Sequence, residues 1–119
     1  MKKYLFFVGI DVSKMKLDVT FLDKPLEKKP YHFVVSNDSK GIKVIIKELS
    51  KRKVDMESVL ISFEDTGVYS LPLGCYLSQN KLDYWMIPAI EIKRSKGISR
   101  GKNDKNDSRD IAFYTMTIS

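Results

Sequence analysis

The feature that most constrains this chain is an apolar run, residues 4–10, that ends in a single acidic residue, Asp11. A continuous apolar run of this kind is typical of a strand buried on both faces of a sheet. A carboxylate at the end of such a strand is costly to bury unless a cation or hydrogen-bond donors meet it. Asp11 is therefore either a metal ligand at the centre of a sheet or a turn residue bonded to nearby backbone amides.

The segments after Asp11 predict a mixed sheet with helices on its faces. Apolar alternation predicts strands near residues 17–22 and 31–35, and the short polar turns between them predict an antiparallel meander. Further along, the pattern predicts strands and helices in alternation, which gives an α/β fold with a mixed five-stranded sheet flanked by helices. The predicted helices cover 39–49 and 66–80, a third begins near residue 89 and a last one near 103, and the predicted strands cover 59–63 and 82–87.

Length and composition predict one domain over residues 1–119, without a membrane span, because no apolar run approaches the roughly 20 residues that a bilayer requires. The basic start resembles a signal peptide, but Asp11 and Lys14 interrupt the apolar run, so export is not expected. The single Cys75 excludes an internal disulfide, favours the cytoplasm, and is expected in the core, where Leu71, Leu73, Tyr76 and Leu77 are the other candidates from the second helix. The helical pattern continues to the last residue, so we expect the chain to be part of a larger protein.

Positive charge is concentrated in one late segment of a chain whose net charge is +6. This basic stretch surrounds two acids, Asp104 and Asp107, as expected for phosphate-backbone binding beside a metal site. A solvated or disordered charged loop is the alternative. The candidate nucleic-acid-binding residues are Lys93, Arg94, Lys96, Arg100, Lys102, Lys105 and Arg109.

Four carboxylates from three elements form a candidate site for Mg²⁺ or Mn²⁺, which prefer oxygen ligands. Asp11 and Glu64 each follow an apolar strand, and ligand sites in such sheets lie beyond the strand ends. Asp104 and Asp107 are three residues apart and share a helix face, although Asp110 continues the same spacing. Two ions at such a site can activate a nucleophile and stabilise the leaving oxygen of a phosphodiester.

Each of these carboxylates also has a structural explanation. Glu64 and the turn after it can belong to an ordinary strand-to-helix connection, and Asp104 and Asp107 can be first-turn acids favoured by the helix dipole. No histidine or cysteine cluster predicts zinc, and His32 is expected to be structural or exposed. The residues alone leave both interpretations open.

Three motifs resemble one family in the correct order over nearly the whole chain. They are GIDVSK at residues 9–14, EDTGVY at 64–69 and GKNDKNDSRDIA at 101–112. Together they are similar to the N-terminal domain of the DEDD transposases of bacterial insertion sequences, which are related to Piv-type DNA invertases. Asp65 stands where the family usually has a small residue, and Asn103 where it usually has threonine.

The resemblance implies a RuvC-like, ribonuclease H-like fold and a DNA transposase or site-specific recombinase that depends on Mg²⁺ or Mn²⁺. It leaves Asp65 and Asp110 outside the site and implies DNA partners (insertion-sequence ends and target), a guide RNA, a homo-oligomer, and a serine-bearing C-terminal domain outside these residues. The isolated chain is then expected to be inactive alone. The implied catalytic and metal-binding tetrad is Asp11, Glu64, Asp104 and Asp107.

Two other function classes are alternatives to a transposase or recombinase. ATP-binding folds of the sugar-kinase and actin type also begin with an apolar strand ending in aspartate, but they need glycine after it, and Val12 follows here. A non-catalytic nucleic-acid-binding module with a ribonuclease H-like fold explains the basic stretch and treats the four carboxylates as coincidence.

Overall fold

The computed structural model describes residues 3–23, 29–88 and 104–118, with only the backbone described for 104–106. Five strands form one mixed sheet in the spatial order β3-β2-β1-β4-β5. The first three strands are antiparallel neighbours, and β4 and β5 run parallel to β1, so the predicted mixed sheet with its meander is confirmed. The strands are β1 (Phe6–Val12), β2 (Lys16–Asp23), β3 (Tyr31–Ser36), β4 (Val59–Glu64) and β5 (Tyr84–Ile87).

Three α-helices lie within the described residues: α1 (Ser39–Lys51), α2 (Leu71–Gln79) and α3 (Asp104–Ile118). The helix predicted over 66–80 is divided into a short 3₁₀ helix, Gly67–Ser70, and α2, which begins where Pro72 fits the first helical turn. The helix predicted to begin near Ala89 lies outside the described residues.

Helices α1 and α2 cover one face of the sheet, and the main apolar core lies between them and the strands. Alternate residues of β1, such as Val8 and Ile10, point to this face and are fully buried. Helix α1 contributes Ile42, Ile45 and Leu49, which recur at the spacing of one helix face. This core positions the sheet, and none of the predicted site residues whose side chains are described belongs to it.

Helix α3 covers the opposite face, where the apolar cluster is smaller and centres on Phe7, Leu22, Leu60 and Ala112. Gly9 lies directly under the helix: a Cβ at this position would lie 2.5 Å from Ala112 N and would also overlap the carbonyl oxygen of Ser108. The close approach of α3 to β1 therefore requires glycine at this position.

Two expectations for the helix cores are wrong. Cys75 is exposed, and Leu71 is 59% exposed. The buried side of α2 consists of Leu73 and Leu77, four residues apart, and the partly buried Tyr76 packs against the same core, whereas Leu71 and Cys75 lie on the outer side of this short helix. Within the described ranges, no helix is both long and apolar enough to cross a lipid bilayer.

Candidate active site

The carboxylates of β1 and β4 stand at the same edge of the sheet. These two strands pair in parallel, with Gly9 opposite Ser62 and Ile10 opposite Phe63, so Asp11 and Glu64 are the next positions in the ladder. Both residues follow the alternation that faces α3, and both are partly buried. The predicted juxtaposition of these two strand ends is confirmed at the level of backbone register.

The contacts of helix α3 show that it runs antiparallel to β1. Its C-terminal half packs near the start of β1, with Met116 against the cluster that contains Phe7. Four to eight residues earlier, Ser108 and Ala112 meet Gly9 further along the strand. The first turn of α3 therefore lies at the end of β1 that carries Asp11.

Residues 104 and 107 belong to this first turn. The step from Ser108 back to residue 104 is about 6 Å along the helix, and the step from Gly9 to Asp11 is about 7 Å along the strand. The backbone at 104 is thus placed near the level of Asp11; the side chain of Asp104 lies outside the described residues. Asp107 is partly buried and precedes Ile111 by one turn.

Ile111 shows which strands lie on the Asp107 side of the helix. It packs against Ile87 of β5, and Ile87 is the register partner of Glu64. Since residues four apart share a helix face, Asp107 lies on the side of α3 that faces β4 and β5. The fold therefore places Asp107 on the Glu64 side of the helix and residue 104 on the side of Ser108.

Polar side chains replace apolar ones on this face between the carboxylates and the apolar cluster. Thr20 and Ser108 share a fully buried hydrogen bond of 2.7 Å, which ties β2 to α3. Ser62 is fully buried on β4, two residues before Glu64, and its hydroxyl has no hydrogen-bond partner among the described residues. A buried hydroxyl without a protein partner is costly, so Ser62 lowers the stability of this face compared with an apolar residue at the same position.

The donor set at this edge fits a hard divalent cation. Carboxylate oxygens from two neighbouring strands and a helix are the ligand type that Mg²⁺ and Mn²⁺ prefer. Among the residues whose side chains are described, no group of three or more acids, histidines or cysteines lies close enough to form a metal site. Asp104, the fourth member of the predicted tetrad, is not among those residues.

The acids that were expected to lie outside the site have other surroundings. Asp65 is exposed, and its carboxylate accepts a hydrogen bond of 3.0 Å from the backbone N–H of Gly67, whose φ is +69°. This geometry is a turn in which glycine supplies the left-handed conformation. Asp110, three residues beyond Asp107, is partly buried on α3.

A cleft of about 720 Å³ lies between α2 and β5. Its lining is mainly apolar, with Leu71, Tyr84 and Met86 among its residues, and Asp65 is the one acid among the described residues that line it. The cleft therefore lies beside the strand-to-helix turn, and none of the tetrad members whose side chains are described (Asp11, Glu64 and Asp107) lines it.

The predicted nucleic-acid-binding stretch falls mostly outside the described residues. This applies to Lys93, Arg94, Lys96, Arg100 and Lys102, and to the side chain of Lys105. Arg109 is described and exposed, at the end of α3 that also carries Asp107. The role of the stretch remains a prediction.

One buried acid near the site was missed at the sequence level. Asp18 on β2 is 2% exposed and bonds to His32, the histidine expected to be structural or exposed. The alternation of Leu17 and Val19 with Asp18 and Thr20 was a signal that polar side chains face one side of the strand. That this side is covered by α3 could not be read from the alternation.

Comparison with protein families now identifies the chain at the level of a family. The family model DEDD_Tnp_IS110, described as a transposase, matches residues 8–118. The chain belongs to this transposase family. No curated protein matches it significantly.

Solved structures of RuvC share the fold of this transposase-family chain. One is T. thermophilus RuvC in complex with a Holliday junction substrate, with 9% identity, a TM-score of 0.61 and coverage of 97% of each chain. A second Thermus thermophilus RuvC structure has 12% identity, a TM-score of 0.60 and coverage of 95% of this chain and 96% of that one. The RuvC-like, ribonuclease H-like fold is thereby confirmed.

Proposed function

We propose that residues 1–119 form the metal-binding catalytic domain of a DNA transposase or site-specific recombinase, with Asp11, Glu64, Asp104 and Asp107 as its metal ligands. The observation that carries the proposal is the convergence of β1, β4 and the first turn of α3 at one edge of the sheet. Family membership supports the same reaction class. RuvC-like nucleases generally use divalent metals, and the oxygen donors at this edge suit Mg²⁺ or Mn²⁺.

The roles of the chain's own residues follow from their positions. Asp11 and Glu64 project from the rigid centre of the sheet and fix one side of the site, while Asp104 and Asp107 approach from the helix. When bound, the metal supplies activation of the attacking oxygen and stabilisation of the leaving oxygen of a phosphodiester. Gly9 keeps α3 close enough to the sheet for the helix carboxylates to complete the set.

The partners of this site are proposed to be insertion-sequence ends and target DNA, with a guide RNA and further copies of the protein in the full assembly. The bound nucleic acid would follow the basic stretch from Lys93 to Arg109, which includes the exposed Arg109. The RuvC neighbour was solved with a Holliday junction substrate, which supports DNA as the substrate class. Binding through phosphates should weaken steeply as salt rises.

The test is a titration of this chain with Mn²⁺, in which electron paramagnetic resonance measures the free ion. The wild type should bind Mn²⁺, and Asp11→Asn should weaken the affinity by at least about a hundredfold, the upper end of the loss seen for outer-shell partners. Asp23→Asn is the matched control, because it removes the same charge from the sheet at the opposite end of β2. Equal affinities for wild type and Asp11→Asn would refute the metal site.

A second candidate is the non-catalytic nucleic-acid-binding module. The observation in its favour is that the described side chains include no group of three metal-ligating residues close together. The two candidates differ in one result: metal-dependent nicking of DNA by a longer protein that contains this chain, abolished by Asp11→Asn, would exclude the binding module.

A further inference from the structure

Asp18 is a buried carboxylate that the proposed tetrad does not use. It lies on β2, is 2% exposed, and faces α3 together with Thr20, whose hydroxyl bonds to Ser108. An ionised carboxylate at such a position is costly unless cations or hydrogen-bond donors compensate it. The groups that surround Asp18 must therefore offset the cost of burying its carboxylate.

The register of the sheet places Asp18 directly opposite Asp11. These two residues are Cα partners in the antiparallel ladder of β1 and β2. Directly opposite residues have Cβ atoms roughly 4.5–5.5 Å apart, and like charges in such a pair destabilise the sheet. A shift of β2 by one residue would move Asp18 to the apolar face under α1 and turn Leu17 and Val19 away from that core, so this register is strongly specified.

The compensating groups engage Asp18 from its own strand and from β3. His32 on β3 lies 2.9 Å from Oδ1 through its Nε2, and Lys16 Nζ lies 3.5 Å from Oδ2. With Asp18 ionised, the ring nitrogen of His32 is the donor. Both carboxylate oxygens therefore have a partner, which fixes the orientation of the group while its charge stays beside Asp11.

We propose that Asp18, held by His32 and Lys16, is a positioning residue that strengthens divalent-cation binding at Asp11. This inference rests on the proposed function. The negative charges of Asp11 and Asp18 repel each other across the ladder. A divalent ion bound at Asp11 is attracted to both carboxylates, and this attraction offsets their mutual repulsion. Lys16 acts in the opposite sense, because its positive charge opposes the arriving ion.

The experiment is the same Mn²⁺ titration with two variants whose expected effects have opposite signs. Asp18→Asn has nearly the same shape and should weaken Mn²⁺ affinity about tenfold, the lower end of the loss seen for outer-shell partners. Lys16→Gln should strengthen it about threefold, the Coulomb effect of one charge roughly 10 Å from a divalent ion in a water-like medium. The Lys16 side chain is 46% exposed, so its replacement leaves the packing intact.

The controls separate a charge effect from a structural one. Asp23→Asn removes an acid from the other end of β2, and Lys40→Gln removes an exposed lysine at the start of α1, so neither should change the affinity. A purely structural role for Asp18 predicts that Asp18→Asn lowers the melting temperature and leaves Mn²⁺ affinity unchanged, and that result would overturn the inference. If Asp18→Asn does not fold, Asp18→Ser replaces it, because serine removes the same charge with a smaller side chain.

The outcomes also separate this inference from the proposed function. If Asp11→Asn abolishes Mn²⁺ binding while Asp18→Asn and Lys16→Gln leave it unchanged, the metal site stands and the role of Asp18 falls. If the wild type binds no Mn²⁺, the metal site and the role of Asp18 fall together.

Discussion

The face of the sheet under α1 and α2 and the face under α3 use the same five strands with different side chains. Under α1 and α2, the inward positions of β1 and β4 are apolar, as at Val8, Ile10 and Phe63. Under α3, the adjacent positions are Gly9, Asp11 and Ser62. Because buried polar groups cost free energy unless they are paired, the second face contributes less to stability per strand.

The polar face is the one that carries the proposed site. The apolar face stabilises the strands, so the polar face can tolerate acids, a buried hydroxyl and a glycine where side-chain packing would otherwise be expected. Pre-organised carboxylates on rigid strands are what a metal site requires. The strand ends on the polar face are therefore the place where the proposed chemistry is expected.

The largest effect expected on stability comes from a methyl group at the contact between α3 and β1. Gly9→Ala should lower the free energy of unfolding by about 3 kcal/mol, because the new Cβ meets backbone atoms that cannot turn away. Urea denaturation measures the change. It should also weaken Mn²⁺ affinity, since it moves the helix that carries Asp104 and Asp107.

Gly74→Ala is the matched control on the other face. A Cβ at Gly74 would lie 3.9 Å from Phe63 Cζ, which is an ordinary contact, and alanine favours the helix by roughly 0.5–1 kcal/mol. It should leave the protein as stable as the wild type or more so. If Gly9→Ala were as stable as Gly74→Ala, the close approach of α3 would not be required.

A smaller effect is expected from the hydrogen bond between β2 and α3. Thr20→Val keeps the shape of the side chain but removes its bond to the buried Ser108, and should cost about 1 kcal/mol in the free energy of unfolding. Adding Ser108→Ala should recover part of this loss, because the double variant removes both polar partners. Additive losses in this double-mutant cycle would show that the two hydroxyls do not couple.

The smallest effect concerns the start of α1 on the apolar face and depends on pH. The backbone N–H of Gly41, followed by the hydroxyl of Ser36, holds the pKa of Asp38 below its ordinary value of 3.8. Because the pKa is lower in the folded state, Asp38 stabilises the protein above pH 3.8, and this contribution is lost as the pH falls below that value.

Asp38→Asn separates capping from charge, because asparagine keeps the oxygen that accepts from Gly41 and does not titrate. The melting temperature of this variant should fall less than that of the wild type between about pH 5 and about pH 3. Parallel curves for the two proteins would show that the ionised cap contributes nothing measurable.

Much of the architecture was predictable from local patterns. The order of strands and helices and the antiparallel meander follow from alternation and turn residues, which act over a few residues. The same local patterns placed Cys75 and Leu71 in the core, where the structure has them exposed, because a short helix buries only one narrow stripe.

Local sequence patterns are sufficient to predict the set of strands and helices and to recognise the three motifs that resemble the transposase family. Both depend only on residues that are close together in the sequence. Only the tertiary structure decided that Asp18 stands opposite Asp11 and that Gly9 lies under α3. The bond between Thr20 and Ser108 joins residues 88 positions apart, and no local preference specifies such a contact. Register and helix packing select it, because they depend on which faces of distant elements are buried together.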